Sequence, residues 1–401
     1  MKNITENICV GIGASQKKDP IQAIREALLE AKLSLNKEKI DLVVLFTTIE
    51  YSHPNIIKTV TNFLGPVPIV GCSGAAVISN KGIFRTGLCI LLLSFAKTIY
   101  FNTAGVKDIR FKTALKAGEE LGDKLLYGFH GIRRDLAITF LDGMIEEGSN
   151  FIYGLQEKLG TSFPIIGASA SDNLHFLKTY TYFNQEVTSN SASAVIWGGK
   201  LNFSWGIKHG WKPIGKPRSV TKAKANVVYE IDNAPAAKVY EEYLARNLIE
   251  LRKELKRISI FYPIGIYLQG EEEYLLRNLH SIENNGSLIF QGNVPEGSSI
   301  RLMIGTKESC LEATQQAINE VKNGMHSKKI SFILLFDSVS RYILLGRGAI
   351  KELDLIKDAV GHNTPIIGIY SYGEQAPLRA INYQGRTHFH NQTINILGIT
   401  S

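Results

Sequence analysis

The chain has 401 residues, of which 44% are hydrophobic and 20% are charged. These are the proportions of globular proteins, and they exclude a chain that is mainly disordered, collagen-like or coiled coil. Lys and Arg number 45 against 37 Asp and Glu, which gives a net charge of +8. Spread over a chain long enough for two or three domains, this excess permits an anionic partner without requiring one, and we expect no nucleic acid.

The four cysteines lie far apart in the sequence and form no pairs with the spacing of a metal site or a disulfide framework. We therefore expect reduced thiols, no metal ion and no cofactor. The amino terminus lacks a basic stretch followed by a long apolar core, which argues against a signal peptide. The longest apolar run, Leu88 to Phe95, is too short for a membrane-spanning helix. The sequence thus predicts a soluble, cytoplasmic protein without a membrane segment.

A strand over residues 8–13 and a helix that begins at Pro20 are the first predicted elements. Asp19 is suited to cap this helix, and apolar residues from Ile21 to Leu35 recur at spacings of three and four.

Three similar modules follow, each with an apolar strand, a helix, a Pro-apolar-apolar-Gly stretch and a closing strand after a hairpin region. The apolar strands begin near residues 41, 135 and 331, and the Pro-apolar-apolar-Gly stretches begin at Pro68, Pro164 and Pro365.

The interval between the second and third of these stretches is about twice the first, which leaves room for a diverged fourth module. We expect it near residues 258–305, where 287–305 have the pattern of a hairpin with a Pro-Glu-Gly turn. Apolar strands need cover on both faces, so repeated strand–helix–strand–hairpin modules predict an α/β fold of layered mixed sheets covered by helices. We predict two domains of two modules each, over residues 1–225 and 226–401.

Cys72 lies in the small-residue stretch after Pro68 and is a candidate nucleophile. A thiol needs a basic partner for that role, and the sequence does not place His53, His209 or His390 beside it. Free cysteine is commonly a small buried hydrophobic residue. No catalytic set is complete, so a thiol-dependent acyl or amide enzyme stays an alternative.

Polar and aromatic side chains follow the third Pro-apolar-apolar-Gly stretch, at the kind of strand end where binding groups are common. Glu374 could receive the ammonium group of a ligand, and Tyr370 and Tyr372 could wall it. The guanidinium groups of Arg277 or Arg341 could pair with a ligand carboxylate. A basic stretch over residues 208–224 has no acidic residue, and it offers a second alternative, an interaction scaffold for anionic partners.

Several stretches together resemble the FIST domain pair, an N-terminal and a C-terminal sensory region. They are residues 68–76, 141–143, 164–173, 209–215, 228–244, 295–297, 365–374 and 390–393. The resemblance covers about residues 30–395. Where the family often has a Cys-x-x-Arg element after the last buried strand, this chain has Ser338 in place of the cysteine and retains Arg341.

The resemblance implies an intracellular sensor that binds a small ligand, with amino acids or their derivatives as candidates. Since no output module is visible, the sensor would act alone or through a signalling partner. We expect the small-residue stretches of the modules to meet and enclose one cavity. The predicted ligand-binding residues are Cys72, Ser73, Ser169, Asp172, Asn173, His209, Trp211, Arg277, Arg341, Tyr370, Tyr372, Glu374 and His390.

Overall fold

A computed structural model describes residues 8–199, 201–271, 273–326, 328–378 and 385–400. The strands in chain order are β1 (Ile8–Ser15), β2 (Leu42–Thr48), β3 (Ile69–Gly74), β4 (Val77–Ser79), β5 (Gly82–Phe84), β6 (Leu88–Phe95), β7 (Tyr100–Lys107), β8 (Arg134–Leu141), β9 (Ile165–Ser169), β10 (Thr181–Phe183), β11 (Glu186–Thr188), β12 (Ser191–Gly198), β13 (Asn202–Lys208), β14 (Trp211–Lys224), β15 (Val227–Ile231), β16 (Ala234–Pro235), β17 (Ile264–Ile266), β18 (Leu275–Arg277), β19 (Leu279–Ile282), β20 (Leu288–Phe290), β21 (Ser299–Gly305), β22 (Phe332–Ser338), β23 (Ile366–Ser371), β24 (Gly373–Pro377), β25 (Thr387–His390) and β26 (Ile394–Thr400). The helices are α1 (Pro20–Leu35), α2 (Pro54–Leu64), α3 (Ala114–Leu126), α4 (Gly148–Leu159), α5 (Lys238–Leu244), α6 (Leu248–Lys253), α7 (Leu255–Phe261), α8 (Lys307–Gly324), α9 (Val339–Leu345) and α10 (Ile350–Val360).

Three six-stranded sheets share one strand order. They run β1-β6-β2-β3-β10-β11, β7-β12-β8-β9-β24-β25 and β13-β26-β22-β23-β4-β5. The third and fourth strands of each sheet are parallel, and the other neighbours are antiparallel. These sheets confirm the predicted α/β class and contain the three modules that the sequence pattern indicates.

The hairpin that completes each sheet comes from a different module. The β4–β5 hairpin of the first module pairs with β23 of the third, and the β10–β11 hairpin of the second pairs with β3 of the first. The β24–β25 hairpin of the third module pairs with β9 of the second. This cyclic exchange joins the modules into a ring, which we call the three-module ring.

A glycine at the same place in each module allows the two parallel strands to pack closely. A Cβ atom on Gly71, Gly167 or Gly368 would lie 1.9, 1.9 or 2.1 Å from a carbonyl oxygen of the neighbouring strand. A side chain would therefore push the parallel strands apart. The repeated Pro-apolar-apolar-Gly stretches thus form strands β3, β9 and β23, and close packing accounts for their glycine.

Three phenylalanines meet where the sheets of the ring face one another. Phe46, Phe140 and Phe336 occupy equivalent places in β2, β8 and β22, and their ring centroids lie 5.5–6.2 Å apart in edge-to-face geometry. The core around them contains residues from all three modules. Helices α1 and α2, α3 and α4, and α8 and α10 cover the outer faces of the three sheets.

The third module is interrupted by an antiparallel sheet in the order β18-β17-β21-β14-β15-β20-β19, with β16 beside β15. We call residues 211–305 the inserted domain. The expected fourth module is therefore wrong: β20 pairs with β15 and β19, and β21 pairs with β14 and β17. The predicted boundary between residues 225 and 226 stays a prediction, although β14 and β15 on its two sides pair with each other. Across the ranges that the structure covers, none of the helices is both long and apolar enough to cross a membrane.

Candidate ligand-binding cleft

A cleft lies between the inserted domain and the three-module ring. It holds two adjoining cavities of about 420 and 270 Å³, which share Phe176, His280, Gln291 and Tyr372 among their lining residues. The ring contributes the loop after β9 and the start of α9, whereas the inserted domain contributes α7 and the strand β19. The cleft therefore opens at the carboxyl ends of β9 and β22, where α/β proteins commonly bind ligands.

Apolar side chains form most of the larger cavity. They are Leu174, Phe176, Leu255, Ile260, Leu279, Val339, Ile343 and the ring of Tyr372. The rings of Phe176 and Tyr372 stack with centroids 4.4 Å apart and an interplanar angle of 9°. Lys256, His175 and His280 also line this cavity but are exposed at its rim. An apolar interior with a few polar groups is typical of small-molecule sites.

One carboxylate organises the loop over residues 172–178. Asp172 accepts the backbone N–H groups of residues 175–178 at 2.8–3.2 Å, and the hydroxyl of Tyr372 donates to the same carboxylate. Burial alone would raise the pKa of Asp172, but these hydrogen bonds outweigh it and hold the pKa below its usual value. Leu174 and Phe176 have positive φ angles of 66° and 52°. Strained positions of this kind persist where surrounding contacts enforce them, and they cluster at ligand sites.

We expect Asp172→Asn to lower the free energy of unfolding by about 2 kcal/mol at pH 7, because two of the N–H donors would then face an amide NH₂ group. Since the folded pKa is depressed, this stabilisation is complete above the unfolded value of about 3.9 and is lost as the pH falls through the folded pKa. Urea denaturation at pH 7 and pH 2 would measure the difference. The control Asp123→Asn changes an exposed carboxylate and should stay within about 0.5 kcal/mol. Equal stability of Asp172→Asn and wild type at pH 7 would contradict the role of this carboxylate.

Some of the predicted ligand-binding residues lie at the cleft. Tyr372 and Ser169 line it, and within the described ranges the buried Ser169 hydroxyl has no hydrogen-bond partner. Asp172 holds the loop, and Asn173 within that loop donates to Glu50. The small-residue stretch after Pro164 thus reaches the cleft, and its role in binding a ligand stays a prediction.

Ser73 and Glu374 make hydrogen bonds inside the three-module ring. The Ser73 hydroxyl donates to the carbonyl of Ser171 at 2.9 Å. Glu374 is fully buried and accepts hydrogen bonds from the hydroxyls of Ser371 at 2.7 Å and Thr393 at 2.8 Å. Burial raises the pKa of Glu374 to about 8. Its carboxyl group is therefore engaged inside the ring and does not face the cleft.

The two arginines considered as partners for a ligand carboxylate are buried and used internally. Arg341 donates to Asp337 at 2.9 Å and also to Glu352. Arg277 donates to three backbone carbonyls at 2.8–3.0 Å, and burial lowers its pKa to about 10. Neither side chain lines the cavities of the cleft. Their predicted pairing with a ligand therefore has no support from the geometry.

Cys72 points into the core that the three modules share. It is completely buried, and burial raises the pKa of its thiol well above the usual value. A nucleophilic cysteine needs the opposite, a stabilised thiolate with access to substrate. The geometry thus favours the interpretation of Cys72 as a small core residue over the thiol-dependent enzyme.

Four further predicted residues make buried contacts away from the cavities. His209 pairs with Glu273 at 2.7 Å, and the indole N–H of Trp211 donates to a carbonyl of α7 at 3.1 Å. Tyr370 packs against a tyrosine of α9 with ring centroids 4.4 Å apart. His390 lies 3.1 Å from a carbonyl oxygen of β24, and burial lowers its pKa to about 3, so its ring is neutral at pH 7.

Acidic side chains neutralise much of the basic stretch over residues 208–224. Its ion-paired members are Lys208, Lys212, Arg218 and Lys222, which meet glutamates or aspartates of neighbouring strands and helices. A surface of alternating charge does not concentrate positive potential. The interaction scaffold for anionic partners is therefore not favoured.

A model of the FIST N domain matches residues 41–234, and a model of the FIST C domain matches residues 236–377. The chain belongs to the FIST family. This confirms the resemblance that the motifs indicated, and FIST domains are sensor domains of signal transduction.

Relatives of this FIST protein come from both archaea and bacteria. An uncharacterised protein of Methanocaldococcus jannaschii is 26% identical to this chain over 271 residues. The alignment covers 63% of this chain and 51% of the relative, so this chain spans about half of that relative's length. An uncharacterised protein of Mycobacterium tuberculosis is 21% identical over 384 residues, with 93% of this chain and 96% of that protein covered. A solved structure of cyanuric acid hydrolase aligns with 98% of the FIST chain and 99% of its own at 7% identity and a TM-score of 0.40.

Proposed function

We propose that this FIST protein is a cytoplasmic sensor whose small ligand binds in the cleft between the inserted domain and the three-module ring, and that it reports occupancy to a signalling partner. Family membership supports the sensor role. The observation that carries the binding site is the apolar cavity of about 420 Å³ at the ends of β9 and β22, which is within the size range of small-molecule sites.

The two walls of the cleft belong to different parts of the fold, which suits a sensor. The loop over residues 172–178 is attached to the ring, whereas α7 and β19 belong to the inserted domain. A ligand that contacts both walls favours the arrangement in which both contacts are made. Binding would therefore bias how the inserted domain sits on the ring, and a partner could read that difference.

Amino acids and their derivatives are the first ligands to test. We expect one or more members of a metabolite panel to raise the thermal midpoint, because a ligand at 100 times its Kd adds about 2.7 kcal/mol to the free energy of unfolding. Ile343→Trp places a larger side chain in the cavity and should abolish the shift. The matched control Ile350→Trp, at an exposed position outside the cleft, should retain it.

Circular dichroism must first show that both variants keep the secondary structure of the wild type. Native mass spectrometry of the purified protein would detect a retained ligand independently. A panel without any stabilising compound, together with a native mass spectrum free of ligand, would count against the proposed sensor. A shift that persists in Ile343→Trp would place the binding site elsewhere.

A further inference from the structure

We infer that the ligand of this cleft is uncharged and presents an amide-like edge, a hydrogen-bond donor beside an acceptor, rather than the ionised groups of a free amino acid. The inference rests on the proposed ligand-binding function. Two observations carry the inference: carboxamide groups at the cleft lack hydrogen-bond partners, and the charged side chains of the cleft lie at its rim.

Two carboxamide side chains of the inserted domain lie together at the cleft. The Nδ2 atom of Asn278 donates to Oε1 of Gln291 at 3.3 Å, and both residues line the larger cavity. Asn278 is only 6% exposed, and its Oδ1 atom has no hydrogen-bond partner within the described ranges. A buried acceptor without a partner costs stability, so a ligand that satisfies it gains affinity.

The pair offers one acceptor and one donor whichever way its amides are oriented. With the hydrogen bond as described, Oδ1 of Asn278 can accept and Nε2 of Gln291 can donate. Exchanging oxygen and nitrogen in both side chains reverses the bond but again leaves one free acceptor and one free donor. The complementary ligand edge is therefore a donor beside an acceptor, which is the chemistry of an amide.

Charged side chains lie at the rim of the cleft rather than inside it. Among the described lining residues, Lys256 of the larger cavity and Arg110 and Glu146 of the smaller one are exposed. An ionised ligand group in the interior would lose its hydration without gaining an opposite charge. The apolar walls and the stacked rings of Phe176 and Tyr372 suit an apolar or aromatic ligand body instead.

Three tryptophan derivatives that share one ring test this inference on the full-length protein. N-acetyltryptophanamide is neutral, N-acetyltryptophan is an anion and tryptophanamide is a cation at pH 7. We expect the neutral compound to bind at least about 10-fold more tightly than either ion, measured by ligand-observed NMR titration. Gln291→Leu should weaken the binding of N-acetyltryptophanamide by at least about 10-fold, because it removes one of the two hydrogen-bonding side chains, whereas Gln316→Leu, at an exposed position of α8, should leave that affinity unchanged.

A charge exchange at the same position gives a second test. Gln291→Glu keeps an acceptor for Asn278 and adds a negative charge, so tryptophanamide should become the tightest binder of the three. Tighter binding of either ion to the wild type, or affinities that neither Gln291 variant changes, would overturn the inference. If none of the three binds while panel compounds still stabilise the protein through the cleft, the inference fails and the sensor proposal stands. If the panel fails as well, the sensor proposal fails with it.

Discussion

Arg341→Met is expected to lower the free energy of unfolding by about 3–5 kcal/mol, because it leaves buried carboxyl groups without their cation. Arg341 is completely buried, with Asp337 and Glu352 as its acidic partners. It also donates to the carbonyl of Cys310 at 3.0 Å and the hydroxyl of Thr314 at 2.9 Å. The guanidinium group thus ties α9 to α8, α10 and β22, and methionine replaces none of these bonds.

The two carboxyl groups of this cluster lie close enough to perturb each other. Burial and the neighbouring Glu352 raise the pKa of Asp337 well above its usual value, which favours the protonated form of this carboxyl group. The Oδ2 atom of Asp337 and the Oε2 atom of Glu352 have no hydrogen-bond partner in the described ranges. A proton held between the two carboxyl groups would satisfy both atoms.

Urea denaturation would measure the loss, with Arg246→Met as a control at an exposed ion pair that should change stability by no more than about 0.5 kcal/mol. The triple variant Asp337→Leu, Arg341→Met, Glu352→Leu removes the whole cluster. It should recover much of the stability that Arg341→Met loses, since apolar replacement of a complete buried cluster is often neutral. A single Arg341→Met variant as stable as wild type would contradict this account.

Phe140→Ala is expected to destabilise the protein by about 3–5 kcal/mol, through lost burial and the cavity left behind. Its ring contacts both Phe46 and Phe336 in the core shared by the modules. Because the three modules share this core, the variant should lower the midpoint of one cooperative transition rather than melt one module separately.

Fluorescence and circular dichroism followed through the same denaturation would show whether the transitions coincide. Phe111→Ala removes a phenylalanine that is 87% exposed and should change stability by at most about 0.5 kcal/mol. A loss below about 1 kcal/mol for Phe140→Ala, or two separate transitions, would argue against a single shared core.

The fold was predictable from sequence where its signals are local. Continuous apolar runs marked β2, β8 and β22, and a proline and a glycine marked each neighbouring parallel strand. The hairpin exchange was missed because β4 and β23 pair across almost 300 residues, and no local pattern records such a partner. The inserted domain was mistaken for a module because short apolar stretches do not distinguish a mixed sheet from an antiparallel one.

The site was predictable only in part. Ser169, Asp172 and Tyr372 lie at the ends of predicted strands, and they do line or hold the cleft. The sequence does not predict Phe176 as a cleft residue, because no pattern in the Leu-His-Phe stretch indicates the left-handed backbone angles of Leu174 and Phe176. Asn278 and Gln291 lie beside the paired strands β19 and β20 of the inserted domain, and the sequence does not show that these strands pair. Conversely, Arg341 and Glu374 were predicted to bind a ligand because they are charged residues near strand ends. Both are buried and bind partners within the protein.

The exchanged hairpins bear on how the chain can be divided. Each of β3, β9 and β23 receives its outer neighbour from another module, so a fragment cut at a module junction would expose an unpaired strand edge open to self-association. The antiparallel sheet inserted between β13 and β22 leaves all three of these pairings intact. We therefore expect the complete ring to be the smallest unit that folds alone. The FIST N and FIST C segments, residues 41–234 and 236–377, should not fold as separate domains.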